Sequence, residues 1–223
     1  SIPTAPATTP ANFCLNEVMG RGFYWLNESN LILTLRTEQQ KSSYSNKNTL
    51  PLAPVISESS QKVSQNKTFQ NMLKNSNDEK SFEEISQSQL AIYNIKTQQL
   101  KKMGSPAIYS PLSVSPDDKY LLVSKTIRPF SRVVPASLFA RQQEVWNLET
   151  LAKSHDLFKN GPFEHIPIDG TIDVPRSLRW LPDEEHTLVY AQALDGGDWN
   201  KKVEYRDEIF KLNLFFSTCL RAS

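Results

Sequence analysis

Apolar residues along this chain fall in short runs, without the three-to-four spacing of long helices. Tyr120-Leu121-Leu122-Val123, Thr187-Leu188-Val189-Tyr190 and Ile209-Phe210-Lys211-Leu212 are dominated by β-branched, aromatic and aliphatic residues and are bounded by turn formers. That pattern predicts strands. No long amphipathic helical pattern competes with them. Fourteen Pro and seven Gly suit a loop-rich β protein better than a helical bundle.

The runs belong to a degenerate repeat. An apolar residue precedes a Pro or Asn–acidic turn, and a strand follows. One copy is Tyr24-Trp25-Leu26-Asn27-Glu28-Ser29-Asn30 with Leu31-Ile32-Leu33. The next is Val114-Ser115-Pro116-Asp117-Asp118-Lys119 with Tyr120–Val123, and the third is Trp180-Leu181-Pro182-Asp183-Glu184-Glu185 with Thr187–Tyr190. Pro pre-sets φ at the second turn position, and the acidic side chain takes the turn's backbone amides, so the chain reverses into an antiparallel strand. A second alternating pattern follows each copy, at 89–95, 144–148 and 208–212. From Leu90 to Val145 is 55 residues and from Val145 to Ile209 is 64, longer than the roughly 40–50 of compact propeller repeats but explicable by loop insertions. Two hairpins per copy make a four-stranded sheet, which must stack on neighbours to bury both faces. The expected fold is all-β: a partial β-propeller of about three four-stranded antiparallel blades. Two are complete, and the last hairpin of the third stops at Leu214-Phe215-Phe216. A generic antiparallel sandwich is the alternative.

The stretch Thr37 to Lys80 breaks the pattern. Nineteen of its 44 residues are Ser, Asn or Gln, with no Gly and two Pro. It buries too little apolar surface to offset its ordering entropy. Its later part, Thr68 to Glu84, places Phe69, Met72 and Leu73 at helical spacing, predicting a short helix. The expected organisation is an irregular arm over 1–12, the partial propeller over 13–216 with a polar insertion at 37–87, and an unmatched tail over 217–223.

Composition narrows the function. Twenty-five basic against 24 acidic residues leave a net charge of +1, without the basic stripe of a nucleic-acid binder. No apolar run approaches the roughly 20 residues of a membrane span, and Ser1–Pro10 lacks a signal-peptide core, so a soluble protein with no visible targeting segment is expected. The first residue is not Met, so a targeting segment could precede it. Cys14 and Cys219 are too few and too distant in sequence for a disulfide framework or a metal motif.

Candidate chemistry is sparse. No two glycines are separated by three residues, so the G-x-S-x-G elbow of an α/β-hydrolase is absent from these 223 residues. Phosphate-binding glycine motifs are absent too. His155, His165 and His186 form no metal-spaced pair, and Asp183-Glu184-Glu185-His186 reads as a solvated turn. Asp195-Gly196-Gly197-Asp198 reads as a tight turn, with a Ca²⁺ loop as the rival. Asn27-Glu28-Ser29 and Asn66-Lys67-Thr68 match glycosylation sequons, a match common by chance. Arg128 and Arg132 flank Phe130 in a Pro-bounded stretch, and Arg176 follows Pro175. A guanidinium held this way suits bidentate carboxylate recognition. These three arginines are the candidate substrate-binding residues. The rival reading is that each pairs with a neighbouring blade.

Taken together, several strings resemble one family. Thr68-Phe69-Gln70-Asn71-Met72-Leu73-Lys74-Asn75 with Asn77-Asp78-Glu79 is similar to the Y-Q-D-L-L-K-N-x-H-D-E element of glutamyl endopeptidase-like serine peptidases of the prolyl oligopeptidase family. Ser88-Gln89-Leu90, Gly104–Tyr109, Ser115-Pro116-Asp117, Arg128–Ser131, Val134-Pro135, Glu144–Trp146, Pro175–Ser177, Ala193–Asp198 and Arg206-Asp207 follow in the same order. The resemblance runs from about Asn12 to Phe216. Departures are Asn77 in place of His, Glu84-Ile85-Ser86 in place of aromatic residues, and Arg132-Val133-Val134 in a usually aromatic stretch. After Phe216 the resemblance stops.

The resemblance implies a propeller half that limits which substrates reach an α/β-hydrolase half. That half carries a Ser…Asp…His triad and cleaves after glutamate. No residue here matches the triad, so no catalytic residue, cofactor or metal ligand is assigned. The expected function is a non-catalytic propeller part that gates or orients peptide substrates, partnered by a hydrolase domain outside this sequence. A stand-alone peptide- or protein-interaction module and a non-functional truncated product are the alternatives.

Overall fold

A computed structural model describes residues 13–38, 40, 69–166, 169–215 and 219–221. The expected arm over 1–12, the sequon Asn66-Lys67-Thr68 and most of the polar insertion lie outside the described residues. The alternating runs form strands β1 (Phe23–Asn27), β2 (Asn30–Arg36), β3 (Ser88–Asn94), β4 (Leu100–Val114), β5 (Tyr120–Thr126), β6 (Arg141–Asn147), β7 (Ala152–Asn160), β8 (Arg176–Trp180), β9 (Thr187–Ala193), β10 (Asp207–Asn213) and β11 (Cys219–Arg221). All pairing is antiparallel, in the orders β1-β2-β3-β4-β5-β6-β7 and β8-β9-β10-β11.

The seven-stranded sheet is two blades sharing one strand. The first half of β4 pairs with β3 and its second half with β5. It therefore closes blade one on the outside and opens blade two on the inside. Blade one is β1-β2-β3-β4, blade two β4-β5-β6-β7 and blade three β8-β9-β10-β11. The expected partial propeller of three four-stranded blades is what the chain forms, and the sheet remains open. Strand pairing also runs past Phe216, because Cys219 pairs with Leu212 and Arg221 with Phe210.

The repeated turns do the same work in every blade. In β4–β5 the amide of Asp118 donates to the Ser115 carbonyl, and the Ser115 hydroxyl accepts from the Tyr120 amide. In β8–β9 Glu184 donates back to Leu181. In β1–β2 the Asn27 side chain accepts from the amides of Ser29 and Asn30. The outer hairpins repeat a second device. Asn94 accepts from Lys96 and Thr97, Asn147 from Glu149 and Thr150, and Asn213 from Phe215. Asn reaches its own backbone two residues on, which is why it recurs at this position.

Period-two alternation gives each blade two faces. One face of blade one (Leu26, Ile32, Leu90, Met103) packs on one face of blade two (Tyr109, Leu112, Leu121, Val123, Trp146). The opposite face of blade two (Tyr120, Leu122, Val145) packs on Trp180 and Leu188 of blade three. A two-sheet sandwich would cover the middle sheet only once, so this arrangement excludes it. Gly104 is fixed by the first seam. Its φ is +61°, and a Cβ there would lie 2.0 Å from the Trp146 ring.

Helix α1 (Ser76–Ser86) begins later than the spacing of Phe69, Met72 and Leu73 predicts. Asn75 caps it, accepting from the amides of Asn77 and Asp78, while Asp78 takes the Lys74 amide in return. That reciprocal cap fixes the start. Residues 69–75 stay non-helical, and Asn71 has φ +57°. Phe69 and Leu73 are still partly buried, against the cluster of Ile108, Phe130, Val134 and Phe139.

Candidate functional site

The connections between the second and third strands of each blade carry the unusual sequences. In blade one this connection is the polar insertion ending in α1. In blade two it is 127–140, and in blade three 194–206. The first two meet. Phe82 of α1 stands edge-on to Phe130 and Phe139, with ring centroids 5.1 and 5.5 Å away. This aromatic contact brings the acidic face of α1 over Arg128 and Arg132.

Both arginines have carboxylate partners from that helix. Arg128 Nη2 lies 2.7 Å from Glu83 Oε2, and its Nη1 lies 3.3 Å from Glu79 Oε2. Arg132 Nε donates to Glu79 Oε1 at 2.8 Å. Arg128 also stacks over Phe130, 4.6 Å from its centroid. The hydrogen bond from Arg132, outweighing the cost of burial, and the added charges of both arginines hold the Glu79 carboxyl below its ordinary range. Both guanidinia remain about half exposed. Arg176 pairs across blade three with Asp207, and its Nη1 is buried without a hydrogen bond. The three candidate arginines do not converge: two face α1 and one lies in β8. The sequence missed Glu79 and Glu83 as partners because nothing in their local pattern reports contact with a loop about fifty residues on.

A buried charged network lies in blade two. Glu144 is 2% exposed. Its Oε2 accepts from Trp146 Nε1 at 2.7 Å and meets Lys125 Nζ at 2.6 Å. Lys125 also lies over the Trp146 ring. Burial, reinforced by the Glu144 charge, pushes the Tyr109 hydroxyl well above the ordinary tyrosine range. Its hydroxyl donates to the Ser105 carbonyl. Each polar group here has a partner, as a buried network requires.

The Asp195–Asp198 loop is a tight turn. Asp195 accepts from the Gly197 amide and from Arg206 Nη1, at 2.8 and 2.9 Å. Gly197 has φ +80°, and a Cβ would lie 2.2 Å from the Thr171 carbonyl. Asp198 caps Asn200. The two carboxylates are thus spent on different local partners, against the Ca²⁺ alternative.

The turn holding His186 gains a residue from another blade. Asp117, Glu185 and His186 place one ligand atom each within 4.8 Å of one another. Asp117 comes from the preceding copy of the same turn, 68 residues away by the numbering of Asp117 and Glu185. No described histidine bridges a serine hydroxyl to a carboxylate, the arrangement triad chemistry needs. Ser154 shares a hydrogen bond with neighbouring His155, but Asp156 is held by Lys153 and Gln142. Among the described residues no helix is long and apolar enough to cross a membrane.

No protein-family profile matches the chain. Over 198 residues, 86% of its length, it is 34% identical to a protein of Oryza sativa subsp. japonica named probable glutamyl endopeptidase, chloroplastic. It is 32% identical over 92% of its length to the Arabidopsis thaliana protein of the same name. It spans only 20–21% of those relatives. Among solved structures, the β-propeller domain of the Trilobed protease from Pyrococcus furiosus aligns with 60% of this chain and 33% of its own, at 15% identity and a TM-score of 0.37. The chain is thus similar over most of its own length to a stretch of about one fifth of plant proteins named glutamyl endopeptidase, and its strands form a partial β-propeller.

Proposed function

We propose that the chain serves as a non-catalytic propeller part that gates or orients peptides for an α/β-hydrolase domain lying outside these 223 residues. The observation that carries this reading is the 34% identity over 86% of the chain to a probable glutamyl endopeptidase of which it spans 20%. The two ends of the arc support it. Phe23 and Trp25 on β1 are 47% and 60% exposed, and Ile209 on β10 is 55% exposed. Sheet faces of this kind are what further blades would cover.

The test compares this chain with the longer protein that contains it. Internally quenched peptides with and without Glu serve as substrates. The expected result is no hydrolysis by the 223-residue chain and hydrolysis by the longer protein. Removing 13–216 from the longer protein should relax its discrimination by substrate size. Hydrolysis by the short chain, or unchanged size discrimination, overturns the reading.

Arg128 belongs to the same proposal. Its pairing with the Glu79 and Glu83 carboxylates supports this reading: a substrate carboxylate would exchange with exposed Glu83. Arg128→Ala in the longer protein should raise KM for Glu-containing peptides with little change for neutral ones. Equal loss on both removes Arg128 from substrate contact.

A further inference from the structure

The seam between blades two and three holds a group of polar atoms that the peptidase reading leaves unused. Asp117 is 6% exposed at its side chain, and its Oδ2 is buried without a hydrogen bond. His186 Nδ1 is also buried without one, and the two atoms face each other at 3.5 Å. Apart from each other and the exposed Lys119 ammonium, 3.4 Å from Oδ2, these two buried atoms have no partner, and a shared one would recover the cost of leaving them without hydrogen bonds.

We propose that Asp117, His186 and Glu185 form a site for a Zn²⁺-like transition-metal ion stapling blade two to blade three. At metal–ligand distances of about 2.0–2.1 Å, donors 3.5 Å apart subtend about 113–122° at an ion between them. That suits a tetrahedral site. The supporting contacts are already built. The Ser115 hydroxyl donates to Asp117 Oδ1 at 2.6 Å, and the Lys119 amide donates to the same oxygen at 3.3 Å. They turn Oδ2 towards His186, as outer-sphere groups orient metal ligands. The His186 ring is held edge-on to Tyr120 and Phe215. Glu185 Oε2 lies 3.7 Å from His186 Nε2, the other ring nitrogen, and its 71%-exposed side chain would swing to the Nδ1 side as the third, movable ligand, with water the fourth. One imidazole with two carboxylates favours Zn²⁺, Ni²⁺ or Cu²⁺ over Mg²⁺ or Ca²⁺. Lys119 Nζ lies 3.4 Å from Asp117 Oδ2 and competes for it, but its side chain is 66% exposed and free to swing away. The site stands independently of the peptidase reading.

The test is calorimetric titration of the chelator-stripped 223-residue chain with ZnCl₂, with Co²⁺ absorption as a report on geometry. Both cysteines are replaced by Ser beforehand. Circular dichroism without metal checks that each variant is folded. The expected result is one ion per chain and a tetrahedral Co²⁺ spectrum. His186→Gln and Asp117→Asn should each abolish saturable binding. Ser115→Ala should weaken it about tenfold, and Lys119→Met should tighten it. Absence of binding, or unchanged stoichiometry and affinity in folded His186→Gln, overturns the proposal and leaves the cluster as a polar contact between His186 and its two carboxylate neighbours.

Discussion

The two seams between blades are built differently. Blades one and two share a continuous strand, and their cluster gathers ten buried side chains from both sheets, among them Leu26, Ile32, Leu90, Leu121 and Trp146. Blades two and three share no strand. Their cluster holds five: Tyr120, Leu122, Val145, Trp180 and Leu188. Polar contacts supplement it: Trp180 Nε1 donates to the Ser113 carbonyl at 2.9 Å, and Asp117 faces His186. Burial scales with apolar area and carries no charge to titrate or screen, whereas buried polar groups reward only correct pairing. The first seam therefore behaves as a fixed core. The second responds to acid, salt or a bound ion.

The largest test of this contrast is Gly104→Val. Its Cβ would enter the Trp146 ring, at a backbone angle that L side chains rarely adopt. Overpacking and left-handed strain together should cost about 3 kcal/mol or more, read as a lowered urea midpoint. A loss below about 1 kcal/mol would show that Trp146 moves aside and that the first seam is not rigid. Leu188→Ala probes the second seam at a fully buried position. It should cost about 2–3 kcal/mol, at the low end of such truncations, because fewer apolar neighbours surround it.

Acid should separate the seams next. Burial alone would raise the Asp117 carboxyl, but the Ser115 hydroxyl, the Lys119 amide and the His186 charge hold it below its ordinary range. A depressed carboxyl favours the folded chain above its unfolded pKa of about 3.9. That contribution disappears as the pH falls through its folded pKa. Urea unfolding between pH 6 and pH 2.5 should show acid loss that is smaller in Asp117→Asn. An identical profile would remove Asp117 from the seam's acid response. The smallest effect belongs to the exposed clasp on α1. Glu79→Gln should cost about 0.2–1 kcal/mol, fading at high salt. A larger, salt-independent loss would mean that α1 docks through its charges and not through Phe82.

Much of this was legible beforehand. The copies at Asn27, Pro116 and Pro182 mark the inner turns, whereas the capping of the outer turns by Asn94, Asn147 and Asn213 came from the structure. Local turn chemistry and period-two alternation act over a few residues, so a sequence reports them directly. The helix start was misplaced because Phe69 and Leu73 are apolar for a tertiary reason, packing near Phe130, while Asn75 sets the true boundary. The pairing of Arg128 with Glu83 and the meeting of Asp117 with His186 were not legible. Each joins segments from different blades, and local pattern carries no information on which faces stack.

By itself the sequence determined the strands, their inner turns and the count of blades, because these follow from spacing and from strings held in order. Only the tertiary structure decided which carboxylate each arginine meets, why position 104 must be Gly, and where two repeated turns bring a buried carboxylate against an imidazole. Those depend on blade stacking, which sets distances between residues that the chain itself keeps far apart.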